Sequence, residues 1–214
     1  MKTDRPIVRV RHVVAAGLVF TAGAAVAADG AQGAARPRPT QTVRTAVCAS
    51  DLGAGIKSRR RFCDVIIVST ARESVSMAIP AHSGPATLMF DLHNRFIVPA
   101  PTVDASQAFT KQTAVVAVIR PTGEVIERAA VSREYRSPAD LFDRIAGSGR
   151  GAPAKAVAPG QAQAVRVTIP AGVNAIGIVG TRLEEWRATG RGAFDAPGKA
   201  IAMVSNLRIQ YTPR

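Results

Sequence analysis

Residues 62–92 constrain the fold of this chain most, because they divide into three short segments with the patterns of β-strands. Residues 65–68 are an unbroken apolar run, which is typical of a strand buried on both faces. Residues 75–79 form a second short segment, and residues 86–92 alternate in polarity with a period of two. Proline and glycine within residues 80–85 mark the turn between these two segments. The stretch therefore predicts a β-sheet.

Strand patterns recur along the rest of the chain. Further strands are predicted at residues 42–48, 113–119, 124–131, 165–169, 175–179 and 201–211. Aromatic residues make up only 5% of the chain, which favours closely packed sheets over a deep aromatic pocket. We expect an all-β sandwich of roughly eight to ten strands, jelly-roll or immunoglobulin-like, because strands at this spacing are typical of such folds. Residues 42–214 are long enough to form it as a single domain.

Two segments carry helix signals. Residues 137–147 begin with a serine cap, place Pro138 at the first helical position and end at Gly147. Residues 181–190 begin with a capping-box pattern and end on a glycine. One or two short helices are therefore expected in the connections between strands. Residues 147–160 are rich in glycine, alanine and proline and predict a flexible connector.

The N-terminus has the three regions of a secretory signal. Residues 1–27 begin with basic side chains, continue with an apolar stretch at 13–24, and end with Ala25 and Ala27 around a small-residue cleavage pattern. The apolar stretch is shorter than the ~20 residues that a membrane-spanning helix requires. We expect cleavage after Ala27, which leaves no transmembrane segment and exports the protein to the periplasm or out of the cell. Residues 28–41 predict a flexible leader.

The chain has two cysteines, Cys48 and Cys63, separated by a segment rich in glycine and charge. In an oxidising compartment, two cysteines at the ends of neighbouring strands favour a disulfide. Closing a loop of this length stabilises the fold by roughly 3 kcal/mol in the chain-entropy model. A reactive thiol pair is disfavoured because the CxxC spacing is absent, and two free buried cysteines are the other, less favoured alternative.

The chain is strongly basic, with a formal net charge of +13. Residues 1–27 hold four basic residues and one acidic residue, so the chain without them has a formal net charge of +10. Basic side chains concentrate in one run and in a second, looser group. The candidate binding residues are Lys57, Arg59, Arg60 and Arg61, followed by Arg182, Arg187 and Arg191. Guanidinium groups pair with phosphate and carboxylate, although such a run also serves as a solvated surface that opposes aggregation.

The leading functional hypothesis is an exported, noncatalytic module. It binds an anionic polysaccharide, another envelope component or a partner protein through its basic loops. Nucleic acid is not the expected partner, because the signal directs the chain out of the cytoplasm and few aromatics are present for base stacking. No cofactor is predicted.

A second hypothesis is a carbohydrate-binding domain. Trp186 is the only tryptophan, and it lies close in sequence to Phe194 within a glycine-containing segment. The two rings are the candidate sugar-stacking platform. The alternative is that Trp186 covers the edge of the core, since its large apolar area favours burial.

A third hypothesis is a small metal-dependent hydrolase built on His82, Asp91 and His93. Asp91 and His93 share one face of the predicted strand 86–93, and His82 lies in the preceding turn. Imidazole and carboxylate are the ligands of zinc and similar divalent metals. The alternative is that both histidines hydrogen-bond to the backbone, and no Gly-x-Ser-x-Gly motif indicates a serine nucleophile.

Overall fold

The computed structural model describes residues 40–97, 110–146 and 154–214. Within these residues the chain forms fourteen strands and two 3-10 turns, at Ala71–Glu73 and Pro138–Asp140. The strands are β1 (Gln41–Val43), β2 (Val47–Cys48), β3 (Asp51–Gly55), β4 (Arg61–Ile66), β5 (Val75–Ala78), β6 (Ala86–Asn94), β7 (Thr110–Ile119), β8 (Val125–Tyr135), β9 (Leu141–Ala146), β10 (Ala154–Pro159), β11 (Gln163–Ile169), β12 (Ala175–Arg187), β13 (Gly190–Phe194) and β14 (Ala200–Tyr211). None of the described residues belongs to a helix long and apolar enough to cross a membrane.

The described strands form two antiparallel sheets. The first sheet has the order β10-β9-β3-β4-β14-β6-β11, with β1 also paired to β14. The second sheet has the order β2-β5-β12-β7-β8, with β13 also paired to β12. The longest strands, β12 and β14, occupy central positions, so each sheet is organised around a segment from the C-terminal part of the chain.

The two sheets pack face to face around one apolar core. Leu88 and Leu92 of β6 meet Val116 of β7 and Ile178 of β12 there, and all four are buried. Each such side chain contributes about 1.5–3 kcal/mol by leaving water. The packing confirms the predicted all-β sandwich. There are more strands than expected, because short segments such as β1 and β2 pair separately with different sheets.

One side of the first sheet curls back on itself and encloses a second core. Phe96, which follows β6, exchanges backbone hydrogen bonds of 3.1 and 2.9 Å with Val157 of β10. The strands between them, from β10 round to β6, enclose the buried side chains of Phe62, Ile145 and Met203. Because β4 lies between this second core and the sandwich core, it is buried on both faces.

The helix predicted at residues 137–147 is wrong. Only Pro138–Asp140 forms a 3-10 turn, and β9 follows directly. The capping signal is satisfied by that single turn, since an oxygen of the Asp140 carboxylate accepts hydrogen bonds from the backbone N–H groups of Arg136 and Ser137. Pairing of β9 with β3 and β10 then outweighs helix propensity. Gly147 lies outside the described residues.

The helix predicted at residues 181–190 is also wrong, because β12 continues through most of it. Thr181 does not cap a helix. It lies at an irregularity of the ladder between β12 and β7, and its hydroxyl donates to the carbonyl of Val115 at 3.0 Å. Leu183 and Glu185 are buried while Arg182 is exposed, which is the two-residue period of a strand. The apparent capping box is therefore a β pattern.

Two predicted segment boundaries also change. Within the predicted flexible connector, Ala154–Pro159 is strand β10, and its small residues Ala156 and Ala158 are fully buried against the second core. These alanines are core residues of a strand, so composition alone gave the wrong prediction. The predicted strand 42–48 divides into β1 and β2, and Gln41, assigned to the leader, begins β1. The signal and residues 28–39 lie outside the described residues.

Candidate functional site

Cys48 and Cys63 form the predicted disulfide, with their Cα atoms 5.5 Å apart. Cys48 ends β2 of the second sheet, whereas Cys63 lies on β4 of the first sheet. The bond therefore links the two layers of the sandwich. It also fixes the position of β4 and of the basic run that precedes and begins it.

The basic run at residues 57–61 occupies the turn from β3 into β4, and its Lys and Arg residues are exposed. Asp143 of β9 holds this turn. Its carboxylate accepts hydrogen bonds of 2.9 Å from the backbone N–H groups of both Lys57 and Ser58. Burial raises the pKa of Asp143, but hydrogen bonds from Ser58, Lys57 and Arg144 outweigh it and leave the pKa below its usual value. The backbone of the turn is therefore anchored to β9.

Three arginines of the run differ in their partners. The Arg60 guanidinium binds the Asp91 carboxylate at 2.7 Å and lies 5.8 Å from the centre of the Phe142 ring. Arg61 binds Asp51, and this contact lowers the pKa of the Asp51 carboxyl. Arg59 has a φ of 59° at the tip of the turn. The run thus carries two arginines paired with carboxylates, beside Arg59 at the tip of the turn.

Replacing Asp143 with Asn should loosen the basic turn. The neutral amide loses the charge-assisted hydrogen bonds from Lys57 and Ser58, at a cost of about 1–3 kcal/mol. Trypsin should then cut within residues 57–61 faster than in the wild type. Asp195→Asn, an exposed carboxylate elsewhere, is the matched control and should leave the cleavage rate unchanged. Equal cleavage of the Asp143→Asn variant and the wild type would mean that Asp143 does not hold the turn.

Each arginine of the second basic group pairs with a glutamate, and two of the arginines share one. Arg182 and Arg191 bind Glu184 at 3.0 and 3.5 Å, and Arg187 binds Glu185 at 3.0 Å. Arg182 and Glu184, like Glu185 and Arg187, are two residues apart on β12 and therefore share a face, whereas Arg191 reaches Glu184 from β13. These arginines are therefore partners of neighbouring side chains rather than free charges.

Trp186 and Phe194 lie on opposite faces of the β12–β13 hairpin. Trp186 stands opposite Arg191 of β13 and Lys111 of β7, whereas Phe194 stands opposite Leu183. Leu183 and Trp186 are three residues apart on β12, so their side chains point to opposite faces. The Trp186 ring is flanked by these two cations, from strands on either side of β12, with ring-centre distances of 4.8 and 5.8 Å. Phe194 instead packs against the sandwich core. The two rings therefore do not form a shared stacking platform.

The two basic groups lie apart. Arg61, in the first group, begins β4. Phe194, in the second group, lies near the other end of β4. Its ring contacts the ammonium of Lys199, and the carbonyl of Lys199 accepts a hydrogen bond from the N–H of Ile67, just beyond that end. Six residues of extended strand separate these points by roughly 20 Å. A single ligand contact does not span both groups.

The three metal-ligand candidates do not converge. His82 Nδ1 lies 2.9 Å from the carbonyl oxygen of Pro80, and His93 Nε2 lies 3.0 Å from the Ser205 hydroxyl. Asp91 is the partner of Arg60. In the part of the chain that the structure describes, no group of three or more His, Cys, Asp or Glu side chains is placed to hold a metal ion.

The structure brings together three arginines that the sequence did not single out. On the outer face of the first sheet, Met89 pairs with Arg166 on one side and Arg208 on the other. Arg44 directly follows β1, whose last residue, Val43, pairs with Ile209, so it lies beside Arg208. We call Arg166, Arg208 and Arg44 the arginine row. None of the three has an ion-pair partner among the described residues.

A gap in the first sheet lies beside the arginine row. β4 pairs with β14 up to Val204, and β1 takes over at Ile209, so neither strand pairs with the residues between them. Asn206, with a φ of 55°, bulges there. The gap forms a cavity of about 430 Å³. It is lined by Arg44, Thr45, Ala46, Cys48, Arg60, Arg61, Cys63, Asn206 and Leu207.

The chain matches no protein-family model, no curated protein and no solved structure. The functional argument therefore rests on the geometry of these surfaces. The combination that stands out is a set of unpaired arginines beside an open cavity, on a face that the sandwich core does not use.

Sequence reasoning missed the arginine row because its members are 122 and 42 residues apart, from Arg44 to Arg166 and from Arg166 to Arg208. One signal was present. In β11, Arg166 alternates with the apolar residues Val165 and Val167, which places it on the outer face. The neighbour of Arg166 across the sheet depends on strand order and register, which this alternation does not specify.

Proposed function

We propose that the protein is an exported, noncatalytic module that binds an anionic polysaccharide across the outer face of its first sheet. The observation that carries the proposal is the arginine row. Neighbouring unpaired guanidinium groups repel one another and stabilise no contact inside the fold. An external anion removes that repulsion and supplies the missing partners.

The spacing of the row favours an extended polyanion. Arg166 and Arg208 are separated by one strand, so their backbones are about 10 Å apart, and Arg44 lies about one strand spacing further on. A linear chain with a charge on successive sugar residues would meet these groups in turn. Guanidinium groups bind carboxylates bidentately, which suits a uronic-acid polymer.

The same face is a poor surface for a protein partner. Protein interfaces are built around exposed aromatic or aliphatic anchors that become buried on binding. The apolar side chain in the row, Met89, is already buried, with 5% of its surface exposed. Charge is the main feature that remains available. Electrostatic attraction therefore supports a polyanion over a partner protein.

Export is supported by two features of the chain. Residues 1–27 have the pattern of a secretory signal. The disulfide between Cys48 and Cys63 is typical of proteins that work in oxidising compartments. Polysaccharides with many carboxylates are surface and envelope components, so the proposed ligand and the proposed location agree.

The proposal is tested with polygalacturonate as the probe. The purified protein should bind it at low ionic strength, and binding should weaken steeply as salt is added, because exposed charges are screened. The Arg166→Gln/Arg208→Gln double variant should bind about tenfold more weakly, since two exposed ion pairs of up to about 1 kcal/mol each are lost.

Arg128→Gln is the matched control, because Arg128 is also an exposed strand arginine but lies on the second sheet. It should bind like the wild type. No binding at low salt, or binding that salt does not affect, would overturn the proposal. Equal losses in the double variant and in the Arg128→Gln control would place the ligand elsewhere.

A further inference from the structure

An apolar hollow lies beside the basic turn that joins β3 to β4. It has a volume of about 240 Å³ and is lined by residues of the turn and of β9. Ile56 begins the turn and is 50% exposed, whereas Leu141 and Phe142 of β9 are half-buried. The hollow therefore holds a large aliphatic side chain in contact with water. Its lining residues are Ile56, Lys57, Leu141, Phe142, Asp143 and Arg144.

The exposed position of Ile56 is fixed by hydrogen bonds to β9. The backbone N–H of Ile56 donates to the carbonyl of Arg144 at 2.8 Å. The next two residues of the turn donate their backbone N–H groups to the Asp143 carboxylate. Ile56 is part of neither the sandwich core nor the second core. Its side chain is therefore available to a surface outside the molecule.

Two exposed cations lie beside these apolar side chains. Lys57 and Arg144 line the hollow, and neither has an ion-pair partner within the residues that the structure describes. Arg59 is exposed at the tip of the same turn. Asp143 also lines the hollow, but it is 2% exposed and its carboxylate accepts hydrogen bonds from three backbone N–H groups. The accessible charge around the hollow is therefore positive.

We infer that the hollow and its cations dock on the surface of an anionic lipid bilayer. Peripheral membrane binding combines burial of apolar side chains at the headgroup boundary with attraction of cations to anionic headgroups. Ile56 supplies the apolar contact, and Lys57 and Arg144 supply the charge. A stable protein interface buries about 800 Å² on each partner. A patch whose exposed apolar surface comes mainly from one isoleucine suits a bilayer better. The inference does not rest on polysaccharide binding.

Co-sedimentation with vesicles at low ionic strength tests the charged part of the contact. The protein should bind vesicles of equal parts phosphatidylglycerol and phosphatidylcholine, and it should not bind phosphatidylcholine alone. The Lys57→Gln/Arg144→Gln variant should bind about 30-fold more weakly, since each cation at an anionic surface contributes about fivefold. Arg72→Gln/Arg128→Gln removes the same charge from two exposed sites elsewhere and should bind like the wild type. Equal losses in the two double variants, or no binding to the phosphatidylglycerol vesicles, would overturn the inference.

Replacing Ile56 with serine tests the apolar part of the contact. Ile56→Ser should bind the same vesicles about fivefold more weakly, because its side chain no longer gains by leaving water at the membrane. Val125→Ser is the matched control, since Val125 begins β8 and is 37% exposed, and it should bind like the wild type. Both side chains are exposed, so both variants should unfold in urea like the wild type. An Ile56→Ser variant with unchanged vesicle binding would contradict the inference, because charge alone would then account for the contact.

Discussion

Lowering the pH from 7 to 4 should destabilise the protein by about 3 kcal/mol through His93 alone. His93 lies in the second core, with 1% of its surface exposed, between the rings of Phe62 and Phe142 at 5.2 and 5.6 Å. Burial lowers the pKa of His93 to about 4, although the carboxylates of Asp91 and Asp143 act in the opposite direction. Arg60 and Arg133 add to the lowering.

The sign of the effect follows from proton binding. Between pH 6.5 and about 4 the unfolded chain binds a proton at His93 and the folded protein does not, so falling pH favours unfolding. A shift of this size corresponds to roughly 3 kcal/mol, at about 1.4 kcal/mol for each pKa unit. The full stability contribution is present above the unfolded value and is lost as pH falls through this window.

Urea unfolding at several pH values measures the effect. His93→Gln should remove about 3 kcal/mol of the difference in unfolding free energy between pH 7 and pH 4, because the amide does not titrate. Carboxylates such as Asp143 titrate in both proteins, so comparison of the two isolates His93. A native-state titration of His93 with its midpoint near 6.5 would contradict the prediction.

Replacing Arg95 with Met should cost about 3–5 kcal/mol of unfolding free energy. Arg95 Nε donates to Asp64 at 2.7 Å, and Asp64 is buried with 6% of its side chain exposed. Without Arg95, the hydroxyl of Ser50 at 3.1 Å is the side-chain partner left to this carboxylate among the residues that the structure describes. A buried charge that loses its counterion is strongly destabilising.

The double variant Asp64→Asn/Arg95→Met separates the loss of charge pairing from the loss of packing. It should recover a large part of the stability, because no unpaired charge remains. Glu134→Gln provides the exposed comparison, since Glu134 pairs with Arg136 on the surface, and it should cost less than about 1 kcal/mol. If Arg95→Met and Glu134→Gln have equal effects in denaturant unfolding, Asp64 does not depend on Arg95.

Much of the fold follows from local patterns in the chain. The alternation at residues 86–92 and the apolar run at 113–119 predicted most of β6 and most of β7. The apolar run at 65–68 predicted only the end of β4, which begins at Arg61 and ends at Ile66. The two predicted helices failed for one reason. Serine, threonine and acidic residues also form single turns and strand irregularities, so a capping pattern alone does not establish a helix.

The candidate site was less predictable than the fold. The basic run at 57–61 was visible because its residues are consecutive, and the disulfide because only two cysteines exist. Whether an arginine is free or neutralised depends on which carboxylate lies across the sheet. Arg60 has such a partner in Asp91, whereas Arg208 has none among the described residues, and sequence spacing does not distinguish the two arginines.

The central position of β14 determines when the strands of the first sheet can assemble. β1, β4 and β6 all pair with β14, which follows all three in the sequence. The first sheet therefore lacks the strand shared by β1, β4 and β6 until residues 200–211 are available to pair. The arginine row and the cavity form together when β14 pairs, because both include residues of this strand. A chain cut short before Ala200 lacks Arg208 and the strand that joins β1, β4 and β6, while retaining nearly all of its sequence.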